Sequence, residues 1–142
     1  MTVAVILGRK GRDVLTTSPQ STMADVCRLL EEKGIGAVVI SEDGAKVDGI
    51  FSERDFVRAV ARDGAGALTR PVSDYMTSSV VTCDPDDTVG DLMRRMTEGK
   101  FRHMPVVKDG SLQGIVSIGD VVKERIAAAE AEASAMRDYI TA

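Results

Sequence analysis

An internal duplication constrains the fold of this chain more than any other feature of its sequence. When the sequence is aligned with itself at an offset of 66 positions, a series of residues in the first half matches identical or similar residues in the second half. One extra residue between Ala45 and Asp48 reduces the offset to 65 beyond that point. Preserved order and spacing over about forty positions indicate two copies of one structural unit. The matched positions are Val14 to Thr16 with Val80 to Thr82, Pro19 with Pro85, Thr22 with Thr88, Asp25 with Asp91, Asp43-Gly44 with Asp109-Gly110, Gly49-Ile50 with Gly114-Ile115, Ser52 with Ser117, and Asp55 with Asp120.

Each copy predicts the element order β-α-β-β-α. A strand leads to a helix with a capping threonine, Thr22 or Thr88, and an acidic residue three positions later. Two apolar runs then flank an Asp-Gly dipeptide, which is typical of a hairpin, and a second helix follows. Because about fifty residues bury too little surface alone, we expect the copies to pack as a pseudo-twofold pair in an α/β (α+β) fold. The predicted strands are 14–16, 37–40 and 47–51 with 80–82, 104–107 and 112–116; the predicted helices end near Gly34 and Gly99, or run over 55–62 and from 120 onward.

Two segments lie outside the copies, which we place at 8–62 and 72–126. The Gly-rich residues 63–71 indicate an exposed, mobile linker. Residues 127–142 are rich in Ala and Glu and indicate a long C-terminal helical extension. Its apolar positions step by 4, 3, 4, 3 and 4, a heptad-like pattern that suits packing on its own module and on a second subunit equally. These positions are Val122, Ile126, Ala129, Ala133, Met136 and Ile140.

One motif, Gly-φ-φ-Ser-x-x-Asp with φ apolar, occurs at 49–55 and again at 114–120. A Ser between a strand and a helix can face a phosphate together with backbone N–H groups, and the helix dipole favours that anion. An Asp three residues later can accept hydrogen bonds from two ribose hydroxyls. The same Ser-x-x-Asp is also an ordinary capping box, in which both residues only satisfy backbone donors. The motif alone leaves both interpretations open.

Cationic residues near these loops favour anion binding, since the chain as a whole carries a formal charge of −4. Arg102 and His103 lie at the start of a predicted strand, and Arg54 lies within the first motif. Lys10 precedes the first predicted strand. The competing interpretation is that these cations form surface salt bridges to nearby carboxylates.

Four motifs taken together carry a family resemblance. They are Ser52-Glu-Arg-Asp55, Val72-Ser-Asp-Tyr-Met-Thr77, Phe101-Arg-His-Met-Pro-Val-Val107 and Gly114-Ile-Val-Ser-Ile-Gly-Asp120. With them the chain resembles, over residues 3–126, a pair of cystathionine-β-synthase (CBS) domains of the stand-alone type labelled as related to inosine-monophosphate dehydrogenase. The resemblance implies two clefts that bind AMP, ADP, ATP, S-adenosylmethionine or NAD(H), a homodimer, and regulation of a partner protein without catalysis.

The resemblance also implies which residues form the two clefts, each taking ribose and phosphate contacts from one repeat and part of its adenine wall from the other. Because Gly36-Ala37 stand where the second repeat has Arg102-His103, the two clefts should differ in charge. Lys10 is a further candidate for contact with a bound anion. One cleft would comprise Ser117, Asp120 and His103 with Gly11, Thr16, Gly36 and Ala37 around the adenine; the other would comprise Ser52, Arg54 and Asp55 with Thr77, Val80, Thr82 and Arg102.

Composition narrows the function further. Hydrophobic residues make up 44% and charged residues 28%, an ordinary balance for a soluble domain. The acidic charge argues against a nucleic-acid or anionic-membrane surface. No apolar run approaches the roughly 20 residues that span a bilayer, and the N-terminus lacks the basic region of a signal peptide, so we expect a cytoplasmic protein. Cys27, Cys83 and His103 have neither disulfide-framework nor metal-ligand spacing.

The preferred hypothesis is therefore a regulatory module that senses an adenine nucleotide (AMP, ADP, ATP or NAD(H)) and has no catalytic cofactor. Its alternatives are a dimerisation module without a ligand and a sensor of S-adenosylmethionine. An enzyme that pairs His103 with Ser117 or Cys83 is disfavoured, because no orienting acid follows from the spacing. Gly8-Arg-Lys-Gly11 matches the GXXG loop of KH domains, but the elements of a KH domain do not follow it.

Overall fold

A computed structural model describes residues 1–141, and it contains two mixed α/β units of related build. Within these residues, no helix is both long and apolar enough to cross a membrane. The helices are α1 (Val3–Lys10), α2 (Met23–Lys33), α3 (Glu53–Asp63), α4 (Val89–Gly99) and α5 (Ile118–Thr141), with 3-10 turns at Gly64–Thr69 and Val72–Asp74; the strands are β1 (Thr16–Thr17), β2 (Ala37–Ile40), β3 (Gly49–Ser52), β4 (His103–Lys108) and β5 (Ser111–Ser117).

The two sheets share one pairing scheme, as the duplication predicts. In the first, β2 pairs in parallel with β1 and antiparallel with β3; in the second, β4 pairs antiparallel with β5. The parallel pairing of Thr17 with Ile40 recurs as an isolated bridge between Cys83 and Val106, 66 positions later. The strand predicted at 80–82 is wrong, because these three residues form no strand and the bridge lies one residue later, at Cys83. Arg95 Nη2 instead donates a hydrogen bond to Thr82 O at 2.7 Å.

The predicted helix caps are confirmed. The hydroxyls of Thr22 and Thr88 accept hydrogen bonds from the N–H groups three residues on, at 3.2 and 3.1 Å. The second copy also has the predicted tight hairpin, in which Asp109 and Gly110 both take positive φ, as a type I′ turn requires. In the first copy the corresponding connection is the longer loop 41–48, whose Asp43 carboxylate accepts from the N–H groups of Ala45 and Lys46.

The segment that precedes each repeat packs in the core of the other repeat. In α1, Val3, Ile6 and Leu7 are buried in the second unit, and the N–H of Val3 donates to Asp87 O at 2.9 Å. In the segment 72–76, Val72 is buried in the first unit, and its N–H donates to Ser21 O at 2.7 Å. The two contacts are equivalent, since Ser21 and Asp87 are 66 positions apart.

The exchanged segments explain the glycine of the repeated motif. A Cβ on Gly49 would lie 2.5 Å from Sδ of Met76, and one on Gly114 would lie 2.7 Å from Cδ2 of Leu7. Any larger side chain at these two strand positions would therefore force the side chain of Met76 or of Leu7 to move.

Residues 63–71 are mostly exposed, as their Gly content predicts, but part of the segment is ordered and packs on the first unit. Residues 64–69 form a 3-10 turn that packs on α2 and α3, and Ala67 is fully buried in the first core. The division of the chain at 8–62, 72–126 and 127–142 remains a prediction from the sequence, and Ala142 lies outside the described residues.

We expect Leu7→Ala to lower the free energy of unfolding by about 2–5 kcal/mol, because it opens a cavity in the second core. Val5→Ala is the matched control, since Val5 lies on the exposed side of the same helix. Urea denaturation of the two variants measures the difference. Equal, small effects would show that α1 does not complete this core.

Candidate functional site

A cleft of about 520 Å³ lies between the two repeats and contains most of the polar residues of the first Ser-x-x-Asp motif. One wall comes from the end of β3 and the start of α3. The second wall comes from residues 77–81, and the third from the loop that joins α4 to β4. The lining residues are Gly36, Ile50, Ser52, Glu53, Arg54, Asp55, Arg58, Thr77, Ser79, Val80, Val81, Gly99, Lys100, Phe101, Arg102 and His103.

Ser52 and Asp55 form a reciprocal capping box at the start of α3. Ser52 Oγ accepts from the N–H of Asp55 at 3.3 Å, and Asp55 Oδ2 accepts from the N–H of Ser52 at 3.0 Å. The capping interpretation of the motif is therefore confirmed here. Asp55 Oδ1 takes a hydrogen bond from Thr77 Oγ1 at 3.4 Å, a length at which the bond is weak. This second oxygen remains able to accept from a ligand in the cleft.

Ser117 and Asp120 repeat the capping geometry, but Lys10 engages the carboxylate. The N–H of Ser117 donates to Asp120 Oδ2 at 2.9 Å, and Lys10 Nζ lies 2.6 Å from the same oxygen. Lys10 Nζ also donates to Ile115 O at 2.9 Å. Burial by itself raises the pKa of Asp120, yet the hydrogen bonds from Lys10 and Ser117 outweigh it and hold the pKa below its ordinary value.

Four cations line the cleft beside Ser52 and Asp55. Arg54 and Arg58 lie one turn apart on α3, and Lys100 and Arg102 lie on the loop after α4. Arg54 Nη1 donates to Lys100 O at 3.0 Å and so joins the two walls. The duplication places Gly119, Lys123, Gly34 and Gly36 at the corresponding positions of the other repeat. Positive charge is thus concentrated on one of the two motif copies.

Lys100 adopts a left-handed conformation, with φ 58°, immediately after α4. The equivalent helix α2 ends at Gly34 with φ 62°, the residue type that this conformation favours. A lysine at this position strains the backbone and places an ammonium group beside the cleft. The second repeat thus carries a cation where the fold alone prefers glycine.

His103 lines the same cleft as Ser52. Its imidazole lies against Gly36, where an added Cβ would be 3.3 Å from Cε1, so the absence of a side chain at Gly36 makes room for the ring. His103 is the first residue of β4 and pairs with Ser117 of β5. Ala37, the first residue of β2, forms the equivalent pair with Ser52 of β3. Burial lowers the pKa of the imidazole, which is therefore neutral at pH 7.

The structure brings eight of the fifteen sequence-predicted site residues together in this cleft and leaves seven outside its lining. Lys10 and Asp120 pair with each other, and Gly11 caps α1 with φ 96°. Ala37 is buried in β2, and the carbonyl oxygen of Thr82 accepts a hydrogen bond from Arg95. Thr16 lies in β1 and Ser117 at the end of β5. The eight in the cleft are Gly36, Ser52, Arg54, Asp55, Thr77, Val80, Arg102 and His103.

Comparison with known proteins agrees with this architecture. The CBS domain family model matches residues 10–62 and 72–127. The chain belongs to the CBS domain family. A mitochondrial CBS domain-containing protein of Arabidopsis thaliana is 30% identical over 98% of this chain and 71% of its own length. The crystal structure of a CBS-domain-containing protein from Agrobacterium tumefaciens matches with a TM-score of 0.85 and 49% identity, over 88% of this chain and 99% of that one.

A second solved structure is a CBS domain pair in complex with 5′-methylthioadenosine and S-adenosylmethionine. It matches with a TM-score of 0.76 over 87% of this chain and 94% of that one, at 22% identity. At this identity the likeness concerns the fold alone.

Several residues of this CBS pair that line the cleft escaped the sequence analysis. Arg58 could have been found, because it follows Arg54 by one helical turn and so lies on the same face of α3. Lys100 and Val81 could not, since they reach the cleft through the packing of one repeat on the other. The missed residues are Ile50, Glu53, Arg58, Ser79, Val81, Gly99, Lys100 and Phe101.

Cys83 offers no nucleophile to this CBS pair. Its side chain is buried, and burial raises the pKa of the thiol to about 12. The thiol is protonated at neutral pH, whereas the thiolate is the reactive form.

We expect Lys10→Met to raise the pKa of Asp120, since burial then acts with less opposition from a positive charge. In the native protein, the lowered pKa contributes stability above about pH 3.9, and this contribution is lost as the pH falls through the folded-state pKa. The variant should lose part of that stability and become acid-sensitive at higher pH. A carboxyl-carbon NMR titration of Asp120 measures the shift, with Lys33→Met on α2 as control. An unchanged pKa would show that Lys10 does not hold the carboxylate in solution.

Proposed function

We propose that this CBS pair is a regulatory module that binds an adenine nucleotide with more than one phosphate, such as ATP or NAD(H), in the cleft beside Ser52 and Asp55. The single observation that carries this proposal is the juxtaposition of a carboxylate, a helix N-terminus and four cations around one cavity. A volume of about 520 Å³ lies within the range of small-molecule sites, roughly 300–1,000 Å³.

Each part of a nucleotide has a matching part of the cleft. Asp55 Oδ1 can accept hydrogen bonds from ribose hydroxyls, as acidic residues do in dinucleotide-binding folds. Ser52 lies at the N-terminus of α3, where the helix dipole favours a phosphate. Ile50, Val80 and Val81 provide an apolar wall for the base.

The charge of the cleft distinguishes between adenosine ligands. Arg54, Arg58, Lys100 and Arg102 exceed Glu53 and Asp55 by two positive charges. Such a cleft favours a di- or triphosphate over S-adenosylmethionine, whose sulfonium group is itself cationic. The CBS pair crystallised with 5′-methylthioadenosine and S-adenosylmethionine supports the adenosine part of this proposal, because a protein of the same fold binds adenosine compounds.

The other motif copy is a weaker site in this proposal. Lys10 neutralises Asp120 and occupies the oxygen that also caps α5. A ligand there would meet a carboxylate whose charge Lys10 already offsets, and its ribose could reach only the other oxygen, Oδ1. The first nucleotide bound per chain therefore enters the cleft at Asp55.

We propose further that the module acts on a separate protein, as a cytoplasmic homodimer that does not bind nucleic acid.

We expect Asp55→Asn to weaken ATP binding about tenfold or more, because it removes the charge from a ribose acceptor, a loss of roughly 1.5–3 kcal/mol. Asparagine keeps an oxygen for the capping box, so the unliganded protein should stay folded. Isothermal titration calorimetry measures the affinity. Asp25→Asn is the matched control, since Asp25 holds the equivalent position in the cap of α2, away from the cleft. If the native protein shows no binding and no thermal shift with ATP, AMP or NADH, the ligand-free dimerisation module replaces this proposal.

We expect Lys100→Gly to weaken ATP binding more than adenosine binding, while the free energy of unfolding stays equal or rises by up to about 1 kcal/mol. Glycine relieves the left-handed strain but loses more entropy on folding. Calorimetry with ATP, AMP and adenosine, together with urea denaturation, measures both effects. Lys33→Gly at the end of α2 is the control. An equal loss for adenosine and ATP would show that Lys100 does not contact phosphate.

A further inference from the structure

The C-terminal half of α5 is a helix without a partner in the described chain. The buried residues of α5, Val121 and Glu124, lie in its first two turns. From Arg125 to Thr141 every residue is exposed, so the helix extends about 25 Å beyond its module at 1.5 Å per residue. The apolar stripe does not fold back on its own module: Ile126 is 54%, Met136 59% and Ile140 74% exposed.

The stripe has the spacing of a two-stranded coiled coil. With Ile126, Ala133 and Ile140 at heptad position a, the remaining stripe residues fall at position d. These d residues are Val122, Ala129 and Met136. The two alanines in the middle allow two helices to approach closely, and the larger side chains flank them on both sides.

The charges beside the stripe select a parallel pairing of identical helices. In a parallel coiled coil, a g residue faces the e residue five positions later on the partner. Arg125 at g would face Glu130 at e, and Glu132 at g would face Arg137 at e. Two-fold symmetry doubles each attractive pair.

An antiparallel pairing of the same stripe would bring like charges together. With the apolar layers matched, Glu130 faces its own copy at e, and Glu132 faces its own copy at g. Lys123 then faces Arg137. The pattern therefore disfavours this arrangement and, equally, a partner helix without complementary charges.

We propose that α5 binds a second copy of this chain as a parallel, in-register coiled coil over residues 122–140. The inference is independent of nucleotide binding, because neither the stripe nor its flanking charges line the cleft. It places both modules of the dimer at the same end of the shared helix pair.

A cysteine at a single a position tests the orientation. In the full chain with Cys27→Ser, we expect Ile140→Cys to form a disulfide-linked dimer on mild oxidation, because paired a positions meet within disulfide reach in a parallel pair. In an antiparallel pair residue 140 faces Val122, about 27 Å along the helix from its own copy. Ser134→Cys, on the outer face of the helix, is the control and should stay monomeric on a non-reducing gel. Absence of the Ile140→Cys cross-link would overturn the parallel pairing.

Charge reversal tests the recognition. We expect Arg125→Glu to raise the dimer dissociation constant on the order of tenfold, and Arg125→Glu combined with Glu130→Arg to restore it. Sedimentation equilibrium of the full-length variants measures these constants. A monomeric native protein, or a dimer that Arg125→Glu and Ile126→Asp leave unchanged, would overturn the proposal. Calorimetry with ATP on the same variants reports on the cleft, so failure of the dimer and failure of nucleotide binding are distinguished.

Discussion

Each repeat is built around a segment that precedes the other repeat in the chain, and both motif copies depend on this exchange. Val3 and Val72 make equivalent backbone hydrogen bonds to opposite repeats. The residues that directly follow each exchanged segment lie beside the Ser-x-x-Asp motif of the repeat in which that segment packs. Lys10 reaches Asp120 in this way, and Thr77 reaches Asp55. The same packing that completes the two cores therefore determines what lies opposite each carboxylate.

The duplicated scaffold separates the residues that maintain the fold from those that distinguish the two clefts. Both capping boxes and both close-packed glycines, Gly49 and Gly114, are retained. The loop after the first helix of each repeat has diverged, since Gly34 and Gly36 correspond to Lys100 and Arg102. Because a capping box uses one carboxylate oxygen, a ligand can use the other without loss of the helix. One motif thus serves both the fold and the cleft.

Self-similarity at a fixed offset predicted the repeat. Local signals predicted the threonine caps and the tight Asp109-Gly110 turn, because each of these depends on residues a few positions apart. The packing of α1 was not predictable in the same way. Its match to the segment 72–76 has an offset of 69, which differs from the 66 of the main repeat, and only apolar character is shared. The pairing of Lys10 with Asp120 spans 110 positions and leaves no periodic trace in the sequence. The sequence therefore identified the motif residues. That Lys10 pairs with Asp120, whereas no cation within residues 1–141 pairs with Asp55, required the tertiary structure.

Two adjacent basic residues at the end of α1 hold the root of α5 with unequal strength. Arg9 pairs with both oxygens of Glu124 at 2.8 and 2.7 Å, and Glu124 is only 6% exposed. Arg9 itself is 59% exposed, but removing it would leave the charge of Glu124 buried and unpaired, which is strongly unfavourable. Lys10 and Asp120 are both partly exposed, so water can replace their contact at little cost. A ligand could therefore displace Lys10 while Arg9 keeps α5 in place. Because Asp120 and Glu124 lie one turn apart on α5, the second motif copy borders the base of the helix that we propose as the dimer interface.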